Sequence, residues 1–168
     1  MNLDDIQNGS LCVIDTSILL CAEQGVSAQA QRLLWRCSTG ELIGVLPQTV
    51  WQELAHKLML AEAMMLGRIS GPNPTMHLTK KPEVIQSLSI YREKIAALQA
   101  LGLGFESCTQ KDLLEEAFSM QRRYGLLIKD AILLSTVFRI KADVIASKST
   151  IFHAIEHITT ASPSDIVP

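Results

Sequence analysis

Apolar residues fall along this chain in two alternating patterns. Leu11-Cys12-Val13-Ile14 and Ile43-Gly44-Val45-Leu46 are short apolar runs without polar alternation, as expected for strands buried on both faces of a parallel sheet. Between and after them the spacing changes to that of helices. Residues Ser17 to Cys21 and Ser27 to Cys37 read as helical. Val50, Trp51, Leu54, Leu58 and Ala61 mark one face of a helix over Thr49 to Met65. Residues 69–82 hold three of the six prolines and read as a long loop or arm. A helix is expected from Pro82 to Leu101 and a strand within Gly102 to Ser107. Thr109 and Asp112 have the spacing that caps a helix running to Tyr124-Gly125. Asp130 opens a further helix, Ala142 to Ala146 returns as a strand, and a last short strand is expected around His157 to Thr160.

Strands alternating with helices predict an α/β domain with a central, mostly parallel sheet flanked by helices in three layers. At 168 residues the expectation is one domain spanning 1–168. Open sheets of this kind bind ligands beyond the carboxyl ends of their strands, which is where Asp15 falls.

Charge changes the picture little. The formal net charge is -2 and the pI about 6.1, so any site for a polyanion must be local. Arg122, Arg123, Lys129, Arg139, Lys141 and Lys148 cluster in one third of the chain and could line a phosphate path, with a solvated helical face as the bland alternative. Lys80 and Lys81 on the arm could clamp a strand of nucleic acid. The four cysteines form no CxxC pair and read as reduced thiols, and the four histidines have no metal-site spacing. Trp35 and Trp51 read as core. With no apolar run of membrane length and no leader pattern at the N-terminus, a cytoplasmic protein without a membrane partner is expected.

Three acids carry the candidate chemistry. Asp15 ends the first strand, Glu53 lies in the first turns of a helix, and Asp130 begins another. Asp15 and Asp130 each have an ordinary explanation as helix N-caps, and Glu53 as a solvated helix residue. Taken together, they match the need of a hard divalent cation for carboxylate oxygens converging from separate elements.

Three segments resemble a known family: VIDTSIL at 13–19, LPQTVWQEL at 46–54, and RRYGLLIKDAILLSTVFRIKADVIAS at 122–147. In this order they are similar to the PIN-domain ribonucleases, including the VapC-like toxins. The resemblance implies a PIN-like fold and a metal-dependent endoribonuclease, with Asp15, Glu53 and Asp130 as catalytic and metal-binding acids for Mg2+ or Mn2+. Ser17, and after it Thr16, are supporting hydroxyls. It also implies RNA as substrate, an antitoxin protein as partner, and a homodimer. The family usually has another Asp after the strand that here ends at Ala146, and this chain has Lys148 there. Its ammonium would pair with Asp130 or Asp15, or contact a phosphate. Three acids suffice for one Mg2+ ion, whereas a two-metal site asks for more; Asp143 and Glu156 are weaker substitutes. The alternative from another class is a catalytically degenerate PIN-like binding or scaffold module. A haloacid-dehalogenase-like phosphatase ranks last, because Ser17 stands where that chemistry places a second Asp.

Overall fold

In the computed structural model, which describes residues 1–166, the run Leu11–Ile14 (β1) is the middle strand of a five-stranded sheet. Its partners are Ile43–Pro47 (β2), Gly104–Glu106 (β3), Val144–Ala146 (β4) and Thr159–Ala161 (β5), all parallel, in the order β3-β2-β1-β4-β5. Cys12, Val13 and Ile14 are fully buried, which is why the central strand carries no polar alternation. Of the expected domain, Val167 and Pro168 lie outside the described residues.

The connections are helical. Thr16–Glu23 (α1) and Ala28–Ser38 (α2) lead from β1 to β2, and Gln48–Met65 (α3), Pro74–Thr79 (α4), Pro82–Ser87 (α5) and Ile90–Ala100 (α6) lead to β3. A π-helical segment, Asp112–Ala117, then Phe118–Tyr124 (α7) and Ile128–Ile140 (α8) return the chain to β4. From β1 the chain steps outward through β2 to β3, then crosses back to β4 on the other side of β1. The order of strands therefore reverses between β1 and β4, and right-handed crossovers on either side of that reversal put their helices on opposite faces of the sheet. The carboxyl ends of β1 and β4 lie at this switch point, where open sheets of this kind form their binding crevice.

Packing sets the register. Gly44 pairs with Leu11's neighbour Cys12, and a Cβ there would stand 2.6 Å from Leu103 Cδ2 and 2.7 Å from Cys37 Sγ, so only glycine lets α2 and the approach to β3 close over the strand. The four cysteines are free, with Cys12, Cys21 and Cys37 buried. Among the described residues no helix is long and apolar enough to cross a membrane.

Three expectations change. Residues 69–82 are not an open arm: Pro74 starts a short helix, as Pro82 does where a helix was expected to begin, a position where a missing N–H costs nothing. Ile69 and Leu78 are buried with Ala63 and Leu88 in a second apolar cluster, and the Lys81 ammonium donates to the Arg68 carbonyl at 2.7 Å. The helix expected from Pro82 to Leu101 is two helices. The break falls where buried Glu62 of α3 accepts the backbone N–H groups of Ser89, Ile90 and Tyr91 at 2.9, 3.1 and 2.8 Å. A carboxylate from another helix thus serves as the cap of α6, and burial's upward push on its pKa is overcome by those N–H groups, which lower it. Glu62→Ala is expected to lower stability by about 2–3 kcal/mol, since buried N–H groups are left unpaired; urea unfolding checks it, and a loss below about 0.5 kcal/mol would contradict the capping role. Finally, Trp35 is 57% exposed rather than core, on the rim of an apolar groove.

Candidate metal and phosphodiester site

Asp15 is the backbone N-cap of α1, with φ -80° and ψ 155°, yet its carboxylate caps nothing. Oδ2 instead accepts hydroxyl bonds from Ser17 at 2.7 Å and from Ser147, just beyond β4, at 2.8 Å. Oδ1 is buried and receives no hydrogen bond. Asp130 is likewise no cap: Leu127 holds that position, and Asp130 lies in the first turn of α8. Asp15 thus fills the expected N-cap position without its side chain capping the helix, and Asp130 does not fill it at all.

Glu53 reaches the same crevice from α3. Its Oε2 accepts from the Thr16 hydroxyl at 2.7 Å and from the Lys129 ammonium at 2.6 Å, and Lys57, one turn along α3, lies 2.9 Å from Oε1. Lys129 Nζ is also 3.7 Å from Asp15 Oδ1. Burial would raise the Glu53 pKa, but the hydrogen bonds from Lys129, Thr16 and Lys57 bring it down to about 2. Lys129 is raised: burial acts against its charge, and the bond to Glu53 with the charges of Asp15, Glu53 and Asp130 outweighs it. Asp130 is raised by burial and, further, by the charges of Asp15 and Glu53, against the pull of Lys129. Crowding among the acids thus falls on Asp130.

The Glu53 shift has a consequence for stability. Its folded pKa lies below the ordinary value of 4.5, so its contribution is complete above that value and is lost as pH falls toward 2. Melting curves between these pH values are expected to diverge: wild type loses stability over the interval, and Glu53→Gln loses less. Parallel curves would contradict the Lys129–Glu53 pairing.

The ion pair expected between Lys148 and Asp130 or Asp15 is not formed. The Lys148 backbone N–H donates to Ser17 Oγ at 3.1 Å, but among the described residues its side chain forms no ion pair. The ammonium beside the acids belongs to Lys129, which sequence reading placed only on a phosphate path. Lys129 adjoins Asp130 in the first turn of α8, and its long stem carries the ammonium to Glu53 and Asp15. Arg139 leaves that path as well, held by Asp112, Glu106 and the Ser107 carbonyl. Lys141 closes α8 in a left-handed conformation. Asp143 accepts the Leu11 N–H at 2.7 Å at the opposite end of β1, so it is no substitute ligand. Glu156 follows a short 3-10 turn, Thr150–Ala154, and His157 has a left-handed φ of 66°.

The donor set suits a hard cation in kind. Asp15 Oδ1 is a buried carboxylate oxygen without a donor, and Asp130 brings a second carboxylate close enough to feel its charge. Glu53 is engaged elsewhere, and among the described residues no three His, Cys, Asp or Glu side chains are grouped as a metal cluster.

Comparison with known proteins adds the fold. The chain is similar to a toxin-antitoxin complex from Klebsiella pneumoniae, with 20% identity and a TM-score of 0.55 over 89% of this chain and 96% of that one. It is also similar to VapBC2 from Rickettsia felis bound to a DNA fragment from their promoter, with 11% identity and a TM-score of 0.55 over 90% and 98% of the two chains. No family model and no curated protein matches the chain. At these identities the likeness establishes a PIN/VapC-like fold.

Proposed function

We propose, from a fold shared with the toxin-antitoxin structures, that this protein is a divalent-metal-dependent endoribonuclease acting as the toxin of a toxin-antitoxin pair. The observation that carries the reading is Asp15 Oδ1, a buried carboxylate oxygen without a hydrogen bond at the switch point between β1 and β4, beside Asp130. Leaving such an oxygen unpaired costs stability, and a cation binding there would offset that cost. Mg2+ or Mn2+, when bound, polarises the phosphoryl group and lowers the pKa of an attacking water.

The chain's own residues supply the rest. Asp15 and Asp130 would hold the ion. Ser17 and Ser147 fix the Asp15 carboxylate by two short hydroxyl bonds to Oδ2, which leaves Oδ1 as the oxygen without a donor. Thr16 fixes Glu53 in the same way. Lys129 keeps an ammonium within reach of a phosphate oxygen and offsets part of the acids' repulsion for an incoming polyanion.

For the protein partner, the surface that would receive it is the apolar groove of about 400 Å³ between α1, α2, α3 and α6, lined by Leu19, Leu34, Trp35, Leu58 and Leu98. An exposed tryptophan over an aliphatic floor suits an apolar segment of an antitoxin.

The test is cleavage of mixed-sequence single-stranded RNA by chelator-stripped protein. Cleavage that returns with Mn2+ or Mg2+ supports the reading; none at millimolar Mn2+ overturns it. One observation favours a second reading, a non-catalytic binding module: the Lys129 ammonium already neutralises acidic charge that a cation would otherwise balance. RNA binding that is indifferent to metal, without cleavage, would select it.

A further inference from the structure

We propose that the Lys129–Glu53 ion pair is a resident part of the site that withdraws Glu53 from metal ligation, leaving a one-ion centre on Asp15 and Asp130. This rests on the metal-dependent reading above and departs from the three-acid ligand set that sequence resemblance implies.

Both oxygens of Glu53 are committed: Oε2 to the Thr16 hydroxyl and the Lys129 ammonium, Oε1 to the Lys57 ammonium. A carboxylate carrying two cations and a hydroxyl has no net charge left to offer a metal. The contrast with Asp15 is sharp. Its Oδ2 is filled by Ser17 and Ser147, while Oδ1 is buried, unbonded and 3.7 Å from Lys129, beyond hydrogen-bonding distance. Lys129 therefore bonds Glu53 and pairs with Asp15 Oδ1 by charge alone, so that Oδ1 keeps no hydrogen-bond donor. Asp130 forms no ion pair or side-chain hydrogen bond among the described residues.

Charge gives the same count. Three carboxylates meet two ammonium groups, Lys57 and Lys129, so the crevice keeps about one negative charge. One divalent ion reverses it to about one positive charge, the complement of a phosphodiester; a second ion would leave a large uncompensated excess. The ammonium thus takes the electrostatic place of a second cation, from α8 and not from the loop after β4.

The experiment is Mn2+ titration by calorimetry and electron paramagnetic resonance, with circular dichroism and melting curves confirming the fold of each variant. The variants are Asp15→Asn, Lys129→Met and the charge-conserving double variant Glu53→Gln/Lys129→Met. Wild type is expected to bind one ion per chain. The double variant should bind within about threefold of wild type and Asp15→Asn at least tenfold more weakly, the usual cost of a lost ligand or its support. Lys129→Met alone removes the ammonium from Glu53 Oε2 and from beside Asp15 Oδ1, leaves Glu53 held by Thr16 and Lys57 only, and should bind Mn2+ about tenfold more tightly. Two ions per wild-type chain, or a double variant as weak as Asp15→Asn, would overturn this inference and leave the nuclease reading standing. No Mn2+ binding by wild type would overturn both.

Discussion

Asp15→Asn is expected to lower metal-dependent RNA cleavage at least a hundredfold while leaving the fold intact. The substitution is nearly isosteric, so Ser17 and Ser147 keep a partner at the position of Oδ2. What it removes is the negative charge, and with it the buried carboxylate oxygen that no donor fills. Loss of a metal ligand or of a preorganised electrostatic group commonly costs two to three orders of magnitude, about 2.7–4 kcal/mol of barrier. Added Mn2+ raises the melting temperature of a protein that binds it only when folded, so the wild type should show such a rise and the variant should not. Rates of cleavage at saturating RNA, with melting curves at zero and millimolar Mn2+, check both halves. A variant that cleaves within threefold of wild type would remove Asp15 from the mechanism.

A second large effect is expected far from the crevice. Asp112, at the start of the π-helical segment, is 1% exposed and accepts the Thr109 N–H at 2.8 Å, the Ser135 hydroxyl at 3.2 Å and the Arg139 guanidinium at 3.0 Å. Thr109 answers with its hydroxyl on the Asp112 N–H at 3.0 Å, so the two residues cap each other and Arg139 ties the pair to Glu106 on β3. Asp112→Ala strips the centre of this network and leaves a serine, an N–H and a guanidinium without their acceptor. About 3–4 kcal/mol of stability should be lost, because removing one partner of a buried pair costs more than the pair contributes. Urea unfolding measures it. A loss under 1 kcal/mol would mean that the network is incidental to the packing of α8, whose first turn carries Lys129 and Asp130.

These two residues mark how far the sequence could be read. The strands were legible because a strand buried on both faces has no alternation, as in Leu11–Ile14 and Ile43–Pro47, and the Thr109–Asp112 cap was legible from spacing alone. Segments governed by distant partners were not. Pro74 read as part of a loop because the buried cluster over its helix, with Leu78 and Leu88, is assembled from separate parts of the chain. The break before α6 depends on Glu62, more than 20 residues earlier, whose carboxylate replaces a local cap. Trp35 looked like core because helical periodicity identifies an apolar face without saying whether anything covers it.

The candidate site divides the same way. Topology brought Asp15 to the end of β1, as the apolar run before it implied, and put Glu53 and Asp130 on helices that converge there. Partnership was the illegible part. Both Lys148 and Lys129 could have supplied an ammonium, and only the packing of α8 against α3 decides that Lys129 Nζ meets Glu53 while Lys148 offers its backbone N–H. A lysine's long stem leaves its charge free over several ångströms, so spacing alone could not select between them.

The most direct test of the metal-site account is anomalous diffraction from crystals of the protein grown or soaked with Mn2+. The account predicts one anomalous peak in the crevice between β1 and β4, with oxygen distances of about 2.1–2.2 Å to Asp15 and Asp130, and with Lys129 still on Glu53. A crevice without a peak at saturating Mn2+, or a peak whose nearest carboxylates are other than Asp15 and Asp130, would contradict it.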